Sequence, residues 1–363
     1  MRISSVRAEA YTVPTDQPEA DGTLTWDRTT AVVAEVGAGD EVGIGWTYGP
    51  AACVDIIGSL LAPAALGLAP EDAPIIYRRL LLASRNATRP GLVALAISAV
   101  DNAVWDLRAR VLGIPIADLL GRARPSAPIY GSGGFTTYDA QQLQGQIEGW
   151  GQSGIEQVKI KIGESWGSDV ARDLRRVDLA LASLPEGGSL FVDANGGYGL
   201  KQAIRVGHDL QERGVTWFEE PVSSDDHRGL RYLRDHLPRL DVTAGEYGFD
   251  LDYFAQLLRD DCVDCVQIDV TRCGGITAWQ RIAALAEAHH LEVSAHCAPL
   301  QHLGVACSTA NYRHGEYFHD HQRIERLLFE EVPEPRQGTL TPLPGPGHGL
   351  TLNRPRVEEF RVR

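Results

Sequence analysis

The sequence predicts an α/β fold in which an eight-stranded (β/α)8 barrel of the TIM type follows a smaller β-then-α region. Three observations carry this. From Ala127 onward eight apolar, strand-like runs recur, each followed by an amphipathic helical segment. The third to seventh of them end in a polar residue with chemistry of its own, Asp193, Glu219, Glu246, Asp269 and His296, spaced by 26, 27, 23 and 27 residues, close to one βα unit each. And 363 residues suffice for such a barrel together with a small domain.

Residues 1–125 open with a strand-like segment, continue with a second at TTAVVAEVGAGDEVGIGWTYG, and then turn helical. The clearest helix is GLVALAISAVDNAVWDLRARVLG, with apolar residues at helical spacing, an end at Gly113 and Pro115 as a stop. The barrel strands of residues 126–325 read APIYGSGGF, QVKIKIG, SLFVDAN, VTWFEEP, DVTAGEY, CVQIDV, LEVSAHC and GEYFHD. In the second of these, Lys159 and Lys161 share one face while Val158, Ile160 and Ile162 fill the other. Two ammonium groups held close and partly buried are expected to lower each other's proton affinity, which makes Lys161 a base near neutral pH.

Composition narrows the partners. A formal net charge of −14, with no basic run to offset it, argues against nucleic acid and anionic membranes and leaves room for a small anionic substrate. The start, MRISSVRAEAYTVP, has no apolar core of a signal peptide, and no stretch approaches the ~20 apolar residues of a membrane span; a cytoplasmic protein is expected. The six cysteines form no disulfide framework, and the lone CVDC at 262–265 lacks a second ligand pair, so buried reduced thiols are expected. GSGGF falls short of a dinucleotide fingerprint, and neither GxSxG nor a P-loop occurs.

Strand ends of a barrel converge on one mouth. Asp193, Glu219 and Glu246, on consecutive strands, therefore make an all-oxygen site suited to Mg²⁺, since three clustered carboxylates repel unless a cation joins them. Lys161 is expected on one flank of that ion and His296 on the other, with Asp269 on the neighbouring strand bonded to one imidazole nitrogen. A carboxylate substrate held by Mg²⁺ has an acidified α-hydrogen, and the ion stabilises the enediolate left by its removal. Reprotonation of the α-carbon gives racemisation or epimerisation; protonation of a β-hydroxyl expels water and gives a 2-keto-3-deoxy acid.

Taken together in order, VKIKIG, VDAN, WFEEP, AGE, IDVTRCGGIT and SAH resemble the mandelate racemase subgroup of the enolase superfamily. ALAISAVDNAVWDLRARVLGIPIADLLG and the C-terminal PGPGHGLTLN are similar as well, so the resemblance spans nearly the whole chain, with His348 standing where many relatives have leucine. It implies an α+β capping domain built from the N-terminal region plus the segment 326–363, Asp193, Glu219 and Glu246 as Mg²⁺ ligands, Lys161 as a base with Lys159 beside it, and an Asp269/His296 dyad. It further implies that Glu316 hydrogen-bonds the substrate carboxylate as an electrophile and that Asn195, on the same strand face as Asp193, touches substrate. The implied activity is dehydration of an acid sugar, with a racemase or epimerase as the first alternative and a non-catalytic acid-binding barrel as the second, in a homo-oligomer. Specificity is expected from cap loops closing over the mouth, with Trp26 and Tyr48 as contacts.

Overall fold

Three antiparallel strands, β1 (Ser5–Ala20), β2 (Thr25–Ala38) and β3 (Glu41–Tyr48), open the computed structural model, which describes residues 1–363. The second strand-like segment of the sequence is thus two strands, because Gly39, left-handed at φ 60°, turns the chain between them. Alternation divides the sheet's faces. Val32, Ala34 and Val36 of β2 join the main core with the helix Ala94–Leu112, whereas Ala31 and Val33 pack with Tyr11, Trp46, Phe329 and Val357. That helix is buried along nearly its whole length and ends where Gly113 takes φ 69°.

Eight parallel strands form the barrel: β4 (Ala127–Gly133), β5 (Gln157–Lys161), β6 (Ser189–Asp193), β7 (Trp217–Glu219), β8 (Asp241–Ala244), β9 (Cys265–Ile268), β10 (Glu292–Ala295) and β11 (Tyr312–Phe318). It closes where Gly315 of β11 faces Ile129 of β4. Val158, Ile160 and Ile162 lie in the outer core, so the opposite face of β5 turns both lysines into the barrel.

The C-terminal segment does two jobs. Phe329, Leu350 and Val357 cover one face of the cap sheet, and Arg354 pairs with Glu9 at 2.7 Å. A short strand, β12 (Thr339–Leu340), instead adds antiparallel to the outside of the barrel at β4. His348 sits where its ring meets Trp46, centroids 5.4 Å apart, and its backbone N–H donates to Asp106 at 2.6 Å.

The β1–β2 hairpin reaches the barrel mouth. Trp166 N–H donates to the Gly22 carbonyl at 2.9 Å, and Thr136 N–H to that of Ala20 at 2.8 Å. Gly22 is required there because a Cβ would stand 2.6 Å from the Ala194 carbonyl oxygen. All six cysteines are free and buried, and no single helix is long and apolar enough to cross a membrane.

Candidate active site

Parallel register builds the first flank. Lys161 faces Asp193 and Asp193 faces Glu219 across β5, β6 and β7, so three inward side chains stand in one row. Lys161 Nζ donates to Asp193 Oδ2. One layer deeper, the fully buried Lys159 Nζ donates to both oxygens of Glu219, at 2.8 and 2.7 Å, and lies 2.9 Å from Glu316 Oε1.

These contacts correct the expected mutual tuning of the lysines. Burial pulls the Lys161 ammonium down and Lys159 adds to that, but Asp193, Glu316 and Glu219 together outweigh both and the net displacement is upward. Lys159 is likewise raised, burial being overcome by Glu219, Glu316 and Asp193. Lys159 thus depresses its neighbour, as expected, but its ammonium also lies against the Glu219 and Glu316 carboxylates.

The second flank lies past the strands. Asp269 and His296 each follow their strand by one residue and Glu246 by two. The backbone beside Glu246 and His296 is turned sharply: Gly245 has φ 137° with a Cβ position blocked by the Gln267 carbonyl, and Cys297 and Ala298, just after His296, take φ 51° and 39°. His296 Nδ1 bonds Asp269 Oδ2 at 2.8 Å, and Asp269 Oδ1 accepts from the N–H and hydroxyl of Thr271, both at 2.7 Å. Burial raises the Asp269 carboxyl, yet the His296 hydrogen bond and charge bring it below the usual carboxylate range. For His296 burial works downward, and Cys297, Glu246 and the Asp269 bond reverse it to a net rise. The second ring nitrogen, Nε2, points into the mouth, 3.2 Å from Glu246 Oε2 and 3.3 Å from Cys297 Sγ.

Between the flanks, one carboxylate oxygen each from Asp193, Glu219 and Glu246 lies within 4.8 Å of the others. Burial, then Asp193, pushes the Glu219 carboxyl up to about 7 against the pull of Lys159, the strain expected of crowded anions. Glu220 Oε1 and Asn195 Oδ1 are buried acceptors without a hydrogen-bond donor. A hard, oxygen-seeking dication fits this donor set.

A cavity of about 300 Å³ opens above, lined by Lys161, Asn195, Glu246 and His296 from the barrel and by Trp26 and Tyr48 from the cap. Trp26 donates through Nε1 to the buried Glu19 at 2.9 Å, and Tyr48 stacks on His321 with centroids 3.4 Å apart. Asn195 reaches the cavity by another route than expected: β6 ends at Asp193, and Asn195, left-handed at φ 45°, donates its N–H to Asp193 Oδ1 at 2.9 Å.

Glu316 and Lys159 do not line the cavity. Glu316 Oε1 accepts from Ser132 at 2.6 Å and Oε2 from Cys297 N–H at 2.8 Å. Burial raises its carboxyl, but Lys159 and His296 carry it well below the usual range. Glu316, expected to act as an electrophile, here accepts hydrogen bonds from Ser132 and Cys297, with Lys159 2.9 Å away.

Sequence reasoning missed several residues of the mouth. Glu220 repeats the acid of WFEEP but turns outward from the row at φ 37°, and burial followed by Glu246 raises its carboxyl. Arg272 stands 3.4 Å from both Asp269 Oδ2 and Glu246 Oε1, a bridge that its spacing three residues beyond Asp269 permits. Asp21, from the hairpin tip, and Cys297 also line the cavity, the former without any motif to betray it.

Two known domain families match the chain. Residues 12–121 match the mandelate racemase / muconate lactonizing enzyme N-terminal domain, and residues 142–356 match the enolase C-terminal domain-like family. The chain is 30% identical to L-talarate/galactarate dehydratase of Salmonella typhimurium, over 97% of this chain and 89% of that one. A structure of that dehydratase liganded with Mg and L-lyxarohydroxamate superposes with TM-score 0.91 at 28% identity, covering 100% of this chain and 93% of that one. D-galactarolactone cycloisomerase of Agrobacterium fabrum is 29% identical over 100% of this chain and 99% of its own. A mandelate racemase/muconate lactonizing enzyme-like protein from Rubrobacter xylanophilus is 44% identical, with TM-score 0.96 and full coverage of both chains.

Proposed function

The chain belongs to the mandelate racemase / muconate lactonizing enzyme family of the enolase superfamily, whose cofactor is Mg²⁺, and from that premise we propose that it is an acid sugar dehydratase. The observation that carries this reading is the pair of different proton carriers, Lys161 and His296, on one cavity with Glu246, whose carboxylate oxygen lies within 4.8 Å of those of Asp193 and Glu219. In this reading those three carboxylates hold Mg²⁺, which when bound supplies Lewis-acid stabilisation of the charge that develops on the substrate carboxylate.

The rest falls to the side chains. Lys161 or His296, whichever faces the α-hydrogen of the acid sugar, accepts that proton. A dication held by Asp193 would share that carboxylate's charge, which would weaken its pull on Lys161 and leave the amine available for the task. Asp269 fixes the His296 ring so that Nε2 meets the substrate, and protonated His296 delivers its proton to the departing β-hydroxyl. Lys159 balances Glu219 and Glu316. The cap residues Trp26 and Tyr48 bound the space left for the sugar chain.

The test is incubation of the purified protein with Mg²⁺ and a panel of aldonates and aldarates in D₂O, followed by proton NMR. Formation of a 2-keto-3-deoxy acid is the expected result. α-Deuteration without loss of water would replace the dehydratase by a racemase or epimerase, and conversion of a sugar lactone without either would place the chain with the cycloisomerases.

A further inference from the structure

The residue that follows His296 has no part in the reaction just described. Cys297 takes a left-handed backbone conformation, φ 51°, at a buried position that a non-glycine residue occupies only when its surroundings impose it. Its N–H is held by Glu316 Oε2 at 2.8 Å, and its Sγ lies 3.3 Å from His296 Nε2, the nitrogen that Asp269 leaves free. Glu316 Oε2 is 3.8 Å from the same nitrogen. One sulfur, one imidazole nitrogen and one carboxylate oxygen thus lie within 4.8 Å of one another, all three residues buried.

This donor set differs in kind from the three carboxylates. Mg²⁺ prefers an all-oxygen site, whereas thiolate and imidazole select Zn²⁺ and its soft relatives. With Zn–S near 2.3 Å and Zn–N near 2.0 Å, ligand atoms on one tetrahedral ion stand about 3.3–3.7 Å apart; here Sγ and Nε2 are 3.3 Å apart, Nε2 and Glu316 Oε2 3.8 Å, and the third pair within 4.8 Å, so a small shift of Glu316 closes the set. The cavity that Cys297 and His296 line leaves room for water in the fourth position.

We propose that His296, Cys297 and Glu316 form a second, inhibitory metal site that captures a thiophilic dication such as Zn²⁺ or Cd²⁺. In the capture step the Cys297 S–H bond breaks, a sulfur–metal bond forms and the thiol proton passes to solvent; where His296 is an imidazolium its Nε2 proton leaves as well. The His296 Nε2 lone pair is taken up by the ion, so His296 can neither accept nor deliver a proton while the ion stays. The proposal goes beyond the dehydratase reading and holds whichever acid is the substrate.

It is tested on the full chain by titrating Cd²⁺ at saturating Mg²⁺ and following the ultraviolet thiolate-to-cadmium charge-transfer band and proton release. One equivalent is expected to bind, unaffected by further Mg²⁺, with one proton released from Cys297 and a second from whatever fraction of His296 is protonated. Cys297→Ser should abolish the band, and both Cys297→Ser and His296→Asn should weaken Zn²⁺ retention about 100-fold or more. Cys297→Ala serves in place of Cys297→Ser if that variant does not fold by circular dichroism. The proposal is overturned if the band is absent, if it survives removal of Cys297, which would assign it to another thiol, or if Mg²⁺ displaces the ion, which would assign it to Asp193, Glu219 and Glu246. None of these readouts requires turnover, so failure here is distinct from failure to find a dehydration substrate.

Discussion

The two flanks of the barrel mouth carry comparable chemistry on unlike backbones. Lys161, Asp193 and Glu219 sit on the last residues of regular strands, and register alone places them side by side. Glu246, Asp269 and His296 sit beyond their strands, Glu246 and His296 next to residues with positive φ. A strand end offers one direction per residue, while a turned backbone can aim a side chain across the mouth, at the cost of strain that the surrounding structure must hold. One flank is therefore built by pattern and the other by packing.

Variants can break or sharpen that contrast. The largest effects are expected from Lys161→Ala and His296→Asn, each lowering kcat by about 10²–10⁴-fold with the fold intact by circular dichroism. Equal loss on both flanks would bear out a division of labour, and near-wild-type turnover in either variant would remove that residue from the chemistry. Next comes Lys159→Met, which strips the buried partner from Glu219 and Glu316 and is expected to cost about 3–5 kcal/mol in chemical unfolding without Mg²⁺. Added Mg²⁺ should restore part of that loss; a deficit indifferent to Mg²⁺ would separate Glu219 from the metal. On the turned flank Gly245→Ala should cost about 1–3 kcal/mol, since the new Cβ meets the Gln267 carbonyl and φ 137° is a glycine conformation. The smallest effect belongs to Asn195→Ala, about 1 kcal/mol from its left-handed backbone, and Asn195→Gly should recover it.

The same contrast explains what the sequence disclosed. Period-two alternation fixes which face Lys159 and Lys161 take, and the βα spacing brings Asp193, Glu219, Glu246, Asp269 and His296 to one mouth, so barrel and site were legible as a pattern. Ionisation was not, because the proton affinity of Lys161 depends on Asp193, which lies on a neighbouring strand at a distance no spacing gives. The conformation of Asn195 was hidden too, since alternation stops where β6 stops. Asp21 and Cys297 entered the mouth through a hairpin tip and a turned peptide, neither of which carries a periodic signal.

The central claim is that two distinct bases face one substrate position from opposite flanks. It is tested most directly by α-hydrogen exchange in D₂O, with Mg²⁺, on two acid sugars epimeric at the α-carbon, in Lys161→Ala and His296→Asn. The account predicts a reciprocal result: Lys161→Ala loses exchange with one epimer and keeps it with the other, and His296→Asn does the reverse. Loss of exchange with the same epimer in both variants, and retention with the other in both, would contradict it.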